Sequence, residues 1–218
     1  MTSSNKNQQF TRDDSEALRQ IMNARRDVRG NRFLPTPIPQ DELDKIYDAA
    51  LSAPSVGFSQ PWEFITVTDR AARQAIADSF TIENDKASVM FDAQKSQQYQ
   101  SLKLEGILQS PLNIAVFYNP KKGPVLGQTS MPEMGRYSVV CAVQNMWLMA
   151  RSLNIGIGWV SILNPEHVKS VLNAPQDREL IAYLCVGYVD KFYDKPELET
   201  LKWEARKQTQ QVILNGSY

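Results

Sequence analysis

Apolar residues recur at helical spacing in three long segments of the chain. The first segment carries Leu18, Ile21 and Met22 on one face and runs into a cluster of arginines. The second is predicted over residues 41–52. The third, over residues 135–154, is apolar almost all round, so we expect it to be buried in a core or in a subunit interface.

Short apolar runs between these segments predict strands. The runs cover residues 62–67, 112–118, 155–163 and 180–189. Two further stretches read as helical, residues 70–109 with a soft break near Thr81, and residues 164–172. This order of helices and strands predicts an α+β layer fold with one central sheet of four or more strands.

Both ends of the chain differ from the middle. Residues 1–10 are polar and predict a disordered N terminus. Residues 11–191 hold all the periodic segments and predict one domain. Residues 192–218 show no compact pattern, and we expect them to form an arm that wraps a partner subunit.

The composition argues against nucleic acid and anionic membranes as partners. The chain has 218 residues, a formal net charge of zero and a pI of about 6.6, so no overall basic field attracts nucleic acid or an anionic membrane. Polar residues open the chain and interrupt its longest apolar stretch, which argues against a signal peptide and a membrane span. We therefore expect a cytoplasmic protein.

Cysteine and histidine are scarce. Cys141 and Cys185 both lie in apolar runs, and we expect two buried free thiols in a reducing compartment. His167 is the single histidine, at the polar start of a helix, and we expect it on the surface. A zinc site or a Ser-His-Asp triad would depend on it alone, so no metal is predicted.

Four charges in five residues stand at the end of the first helix. The run is Arg25, Arg26, Asp27, Val28 and Arg29. Guanidinium groups bind phosphate through paired, charge-assisted hydrogen bonds, and three arginines are more than one aspartate needs as a partner. The alternative is a solvated helix end with local ion pairs.

Two other segments could approach a flat ligand. The loop 53–62 is rich in turn formers, and Ser55, Ser59 and Gln60 offer hydrogen bonds. The strand 156–162 carries two glycines, which can let a ring lie against its backbone, and it makes Ser161 a candidate donor. Alternatively, the loop is an ordinary connection and the serine is structural.

Taken together, the arginine run, the Ala-Pro-Ser loop and the Gly158 strand resemble the flavin-binding pattern of the nitroreductase superfamily over residues 15–206. The resemblance implies a three-layer fold with a central mixed or antiparallel sheet flanked by helices. It also implies a domain-wrapped homodimer with two active sites at its interface. The early arginines then hold the FMN phosphate, and Arg206 adds to that site.

One branch of the superfamily is closest in motif. Common nitroreductases have a serine where this chain has Asp27, and residues 101–107, 137–145 and 158–162 resemble the flavin-destructase branch. The resemblance implies that reduced FMN is a substrate, cut with O2 to 5,6-dimethylbenzimidazole, the lower ligand of vitamin B12, with release of erythrose 4-phosphate. Asp27 and Ser161 are then the catalytic residues, and a separate flavin reductase supplies reduced FMN.

The resemblance also implies a set of FMN contacts. These are Arg25, Arg26, Asp27, Val28, Arg29, Pro54, Ser55, Gly57, Gln60, Met90, Lys103, Leu104, Trp159, Val160, Ser161 and Arg206. Residues 90–106 are a candidate lid that keeps water from the flavin, or alternatively a dimer-packing arm.

Two other functions stay open at this point. One is an NAD(P)H-dependent FMN nitroreductase or related oxidoreductase, and the other is a flavin-binding protein without catalysis. Asp27 favours the fragmentation of FMN, because a simple hydride relay has no evident use for a carboxylate there.

Overall fold

The computed structural model describes residues 8–217, with the backbone alone for Asn31. Its α-helices are α1 Arg12–Ala24, α2 Gln40–Leu51, α3 Arg70–Ser88, α4 Ala93–Ser101, α5 Met134–Ser152, α6 Pro165–Val171 and α7 Glu197–Thr200. Its strands are β1 Trp62–Val67, β2 Leu112–Tyr118, β3 Ile155–Val160 and β4 Glu179–Tyr188.

The four strands form one antiparallel sheet in the order β1-β2-β4-β3. Every residue of β2 is buried because helices cover both faces of the sheet. Ile114 and Val116 pack into a cluster with α2 and α5, while Ala115 and Phe117 pack into a second cluster with α3 and α6. The predicted α+β three-layer fold is confirmed, and the near-continuous apolar runs reflect a strand buried on both faces.

Helix α1 delivers the arginine run to the free edge of β3. A capping box between Thr11 and Asp14 starts the helix, and the extended backbone of Arg25 ends it. Asp27 then pairs with Ile157 as an isolated parallel bridge, and the Val28 N–H donates to the Ile157 carbonyl at 3.0 Å. The arginine run therefore continues the sheet beyond its edge strand, and this bridge is the parallel component of an otherwise antiparallel sheet.

The two glycines of β3 make room for this contact. A Cβ at Gly158 would overlap the carbonyl oxygen of Val28, and a Cβ at Gly156 would lie 2.8 Å from Val28 Cγ2. From the sequence, we expected these glycines to make room for a ligand ring. In the structure they make room for Val28, whose side chain is buried in the second cluster.

Three predicted features need correction. The helical stretch 70–109 breaks at residues 89–92 rather than near Thr81, because Asp92 caps a new helix, and it ends at Ser101. The third predicted strand ends at Val160, which leaves Ser161 just outside the sheet. Cys185 is buried as expected, whereas Cys141 is exposed.

Cys141 is exposed because α5 has more apolar surface than the described chain covers. Ala142, Val143 and Met146 face the core, while Tyr137 and Val140 remain 52% and 40% exposed on the opposite side. Residues three and four apart lie on one helix face, so Cys141 shares that outer face. The prediction that this helix serves a core or a subunit interface is confirmed for the core.

The ends of the chain are only partly described. Most of the predicted disordered segment 1–10 lies outside the described residues, and residues 8–10 are exposed without helix or strand. In the predicted arm 192–218, α7 and a 3-10 turn at Thr209–Gln211 interrupt irregular backbone. None of the described helices is long and apolar enough for a membrane crossing.

Substituting Gly158 tests the contact between the arginine run and the sheet. We expect Gly158→Ala to lower stability by about 1–3 kcal/mol, because the added methyl group displaces the Val28 carbonyl. Thermal unfolding gives the stability change, and hydrogen exchange at the Val28 amide reports the local contact. An unchanged melting temperature with full protection of that amide would contradict this packing.

Candidate functional site

An open, positively charged cleft lies where the arginine run meets the C-terminal segment. Its volume is about 260 Å³. The lining residues are Met22, Asn23, Arg25, Arg26, Asp27, Arg29, Tyr193, Pro196, Glu197, Leu198 and Arg206. Four arginines against two carboxylates make it a place for an anion.

Asp27 is held in a fixed orientation on one side of this cleft. Its Oδ1 accepts the backbone N–H of Trp159 at 2.9 Å, and its Oδ2 accepts Nε–H of Arg29. The carboxylate is about three-quarters buried, with 24% of the side chain exposed. Because β3 supplies one donor and the arginine run the other, the sheet edge sets where this acid points.

Arg25 and Arg29 face the cleft in different ways. The Arg25 guanidinium carbon lies 5.0 Å from the ring centre of Trp147 and makes no hydrogen bond to another described residue. Arg29 uses its Nε–H on Asp27 and makes no hydrogen bond through its terminal nitrogens within the described chain. Both side chains therefore keep donors for an anion.

Arg26 differs from its neighbours because four of its five N–H donors are occupied. Its guanidinium donates to the carbonyl oxygens of Asn23 and Arg25, both at 2.7 Å, of Tyr193 at 2.9 Å, and of Asp194. Burial, and the nearby charges of Arg25 and Arg206, lower the pKa of Arg26. Arg26 therefore joins the arginine run to the C-terminal segment through its hydrogen bonds to Tyr193 and Asp194.

The predicted partner Arg206 does reach the cleft from the far end of the chain. Its side chain is 71% exposed, with Glu199 Oε2 at 3.8 Å. Lys103 does not line the cleft, but the stem of its side chain packs on Gly30, next to the arginine run. The Gly30 N–H donates to the Glu105 carbonyl at 2.5 Å and so ties residues 102–106 to the arginine run.

Three other predicted contacts, Met90, Leu104 and Val160, do not line the cleft. Met90 is 82% exposed and does not line the cleft, and Leu104 is half-buried beside the tie to Gly30. Val160 is buried in the second cluster, whereas Trp159 packs on Trp147. The role of residues 90–106 as a lid stays a prediction.

The Ala-Pro-Ser loop lies at the other end of α5. The Val56 N–H donates to Ser138 Oγ at 3.0 Å near the start of this helix, whereas Trp147, nearer its end, donates to the Arg26 carbonyl at 3.1 Å. Nine residues of helix separate those contacts by about 13 Å. Pro54, Ser55, Gly57 and Gln60 therefore do not line the cleft of their own chain.

Three residues of that loop nevertheless have an unusual backbone conformation. Gly57, Phe58 and Gln60 all have φ near +50°, a region that only glycine adopts without cost. Phe58 is 79% exposed, and the buried Ser59 Oγ has no hydrogen-bond partner among the described residues. Ser55 Oγ accepts the Gln60 N–H at 3.1 Å and holds the turn together.

Ser161 is exposed, two residues beyond the Trp159 amide that binds Asp27. In extended backbone this separation is about 7 Å. Ser161 does not line the cleft, and no hydrogen bond within the described chain joins it to Asp27. Its catalytic role stays a prediction.

Sequence reasoning missed Trp147 and Tyr193. Trp147 looked like one more apolar residue of a buried helix, although its ring supports Arg25. Tyr193 lies in a segment without periodicity, yet Arg32 stacks on its ring at 4.5 Å and donates to its hydroxyl. Arginine and aromatic side chains often stack on each other, but these pairs are far apart in the sequence, and only the fold shows which of them meet.

Comparisons with known proteins place this geometry in a family. Residues 22–188 match the Nitroreductase family. A 5,6-dimethylbenzimidazole synthase of Rhodospirillum rubrum is 42% identical over 198 residues, which is 90% of this chain and 92% of the relative. A second protein of that name, from Rhodobacter capsulatus, is 36% identical over 92% of this chain and 97% of the relative.

Two solved structures share the fold of this chain. Iodotyrosine deiodinase bound to FMN and 3-iodo-L-tyrosine superposes with a TM-score of 0.72 at 21% identity, over 92% of this chain and 99% of that one. A BluB-like flavoprotein from Clostridium difficile 630 gives a TM-score of 0.69 at 19% identity, with the same coverage. The protein therefore belongs to the nitroreductase family.

Proposed function

We propose that this protein fragments reduced FMN with O2 to 5,6-dimethylbenzimidazole and releases erythrose 4-phosphate. The observation that carries the proposal is an oriented, three-quarters buried carboxylate, Asp27, set among the arginines of an anion cleft. Relatives named 5,6-dimethylbenzimidazole synthase, 34–42% identical over at least 90% of the chain, support it.

The cleft fits the phosphate end of FMN. Arg25 and Arg29 keep free donors in the cleft, and Arg206 lines it as well. Each charge-assisted hydrogen bond to phosphate contributes about 1.5–3 kcal/mol. A neutral flavin without phosphate would gain none of this, so the cleft favours FMN over riboflavin.

Asp27 would then lie beside the ribityl chain or the ring edge that follows the phosphate. Reduced FMN supplies the electrons of the reaction, and O2 is the oxidant. Asp27 can take a proton from carbon or nitrogen and return it elsewhere, provided that its position is fixed. The Trp159 N–H and the Arg29 Nε–H fix both of its oxygens.

A second copy of the chain would complete the site. The phosphate cleft and the Ala-Pro-Ser loop lie at opposite ends of α5 in one chain, and the outer face of α5 is apolar and uncovered. Pairing two copies across this face buries it and can bring the loop of one copy to the cleft of the other. The homodimer belongs to this proposal. So does the arm predicted over residues 192–218, which would wrap the partner with its part beyond residue 206, because residues 193–206 pack on their own chain.

Three further expectations belong to the same proposal. A separate flavin reductase supplies reduced FMN, as the resemblance to the flavin-destructase branch implies. O2 reaches the flavin beneath the lid formed by residues 90–106. The protein works in a reducing cytoplasm, which suits a chain whose Cys141 and Cys185 are both free thiols.

The direct test is product formation from FMN. We expect protein, FMN, NADH and an unrelated flavin reductase to yield 5,6-dimethylbenzimidazole in air and none without O2, measured by mass spectrometry. Steady oxidation of NADH by the protein alone, with intact FMN, would instead show a nitroreductase. Bound reduced FMN that returns unchanged to oxidised FMN in air would show a flavin-binding protein without this chemistry.

Replacing the carboxylate separates chemistry from binding. We expect Asp27→Asn to abolish product while FMN affinity stays within several-fold, since the amide keeps the size of the side chain but cannot serve as a base. Affinity is measured by quenching of flavin fluorescence. The matched control, Asp41→Asn on the exposed side of α2, should leave both unchanged. Near-normal turnover in Asp27→Asn would remove our role for this residue.

Removing a free arginine tests the phosphate assignment. We expect Arg25→Ala to weaken FMN binding by about 1.5–3 kcal/mol, and to leave the weaker binding of riboflavin unchanged, because only FMN carries the phosphate. Arg19→Ala, an exposed arginine on α1, is the control. Equal losses for FMN and riboflavin would show that Arg25 contacts another part of the flavin.

A further inference from the structure

We infer that Arg26 is a positioning residue, which fastens the C-terminal segment 193–206 as one wall of the phosphate cleft. We call this segment the strap. Arg206 lies at its end, so Arg26 acts on the phosphate through the place it gives to Arg206. The inference rests on the proposed function only for the identity of the anion.

The hydrogen bonds of Arg26 leave little for a ligand. A guanidinium has five N–H donors. Four of them meet backbone carbonyl oxygens, two in the chain just before Arg26 and two at the start of the strap, those of Tyr193 and Asp194. One N–H, on Nη2, is left for a ligand, so any wider contact with phosphate would break bonds that already satisfy a partly buried cation.

The strap depends on such contacts because it has no core of its own. Every described residue from 193 to 206 is exposed or half-buried, and its one helix, α7, is four residues long. A segment with so few buried contacts opens at low free-energy cost unless side chains hold it. Tyr193, Pro196, Glu197 and Leu198 of this segment form a wall of the cleft.

The far end of the strap is held on α4. Trp203 packs edge-on against Phe91 at 5.3 Å between ring centres, and Lys95 lies 4.8 Å above its ring. Gln98 donates to the Leu201 carbonyl at 2.7 Å. Arg206 follows three residues later, so its approach to the cleft is set by Arg26 at one end and by this aromatic contact at the other.

Substitution by lysine distinguishes positioning from direct charge. Lysine keeps the positive charge in the cleft but cannot reproduce the planar fork that spans two chain segments. If Arg26 contributed by its charge alone, Arg26→Lys would be nearly silent. If it fastens the strap, Arg26→Lys should have the effect of misplacing Arg206.

The experiment is a double-substitution cycle on FMN affinity with Arg26→Lys, Arg206→Ala and the pair together. We expect each single change to weaken FMN binding about tenfold. The pair should be no more than about threefold weaker than Arg206→Ala alone, because the effect of Arg26 runs through Arg206. Riboflavin affinity should not change, and Arg19→Lys, on exposed α1, is the matched control.

Hydrogen exchange gives a readout that needs no ligand. In the ligand-free protein, Arg26→Lys should speed exchange of amides in the strap, whereas Arg206→Ala should not. Independent effects that multiply to about a hundredfold, or unchanged exchange in Arg26→Lys, would overturn the inference. A wild-type protein that binds FMN but forms no benzimidazole would overturn the proposed function and leave this result standing.

Discussion

The contact on which the site depends is the close approach of Val28 to the two glycines of β3. Only a strand without side chains at positions 156 and 158 lets the arginine run lie along its edge. The bridge between Asp27 and Ile157 follows from that approach, and so does the hydrogen bond from Trp159 to the Asp27 carboxylate. One packing constraint thus fixes the arginines, the acid and the strand that orients it.

A charged cleft built in this way needs support from outside the sheet. The arginines repel one another, and an anion would offset that repulsion only when bound. Within the described chain, Asp27 pairs with Arg29, the Trp147 ring lies beneath Arg25, and backbone carbonyls surround Arg26. Each arginine of the run has a different partner, which is why three similar residues can have three different tasks.

Much of the fold and part of the site could be predicted from the sequence. The strands β1 and β2 match the predicted runs, because polar or turn-forming residues flank each run on both sides. The link between Arg25 and Arg206 came from resemblance alone, since nothing local joins residues so far apart. The role of Gly158 and the donors of Arg26 could not be predicted, because both depend on segments that meet only in the folded chain. Cys141 was expected to be buried because it lies in an apolar run, but it is exposed. The run alone does not show which face of the helix the chain itself covers.

A crystal structure with FMN bound tests most directly whether the arginine cleft holds the phosphate and whether Asp27 faces the flavin. We expect the phosphate between Arg25, Arg29 and Arg206, and the Asp27 carboxylate within hydrogen-bond distance of the ribityl chain or the ring. We also expect residues of the Ala-Pro-Ser loop from a second copy on the same flavin. A phosphate bound elsewhere, with Asp27 turned away from the flavin and paired only with Arg29, would contradict these expectations.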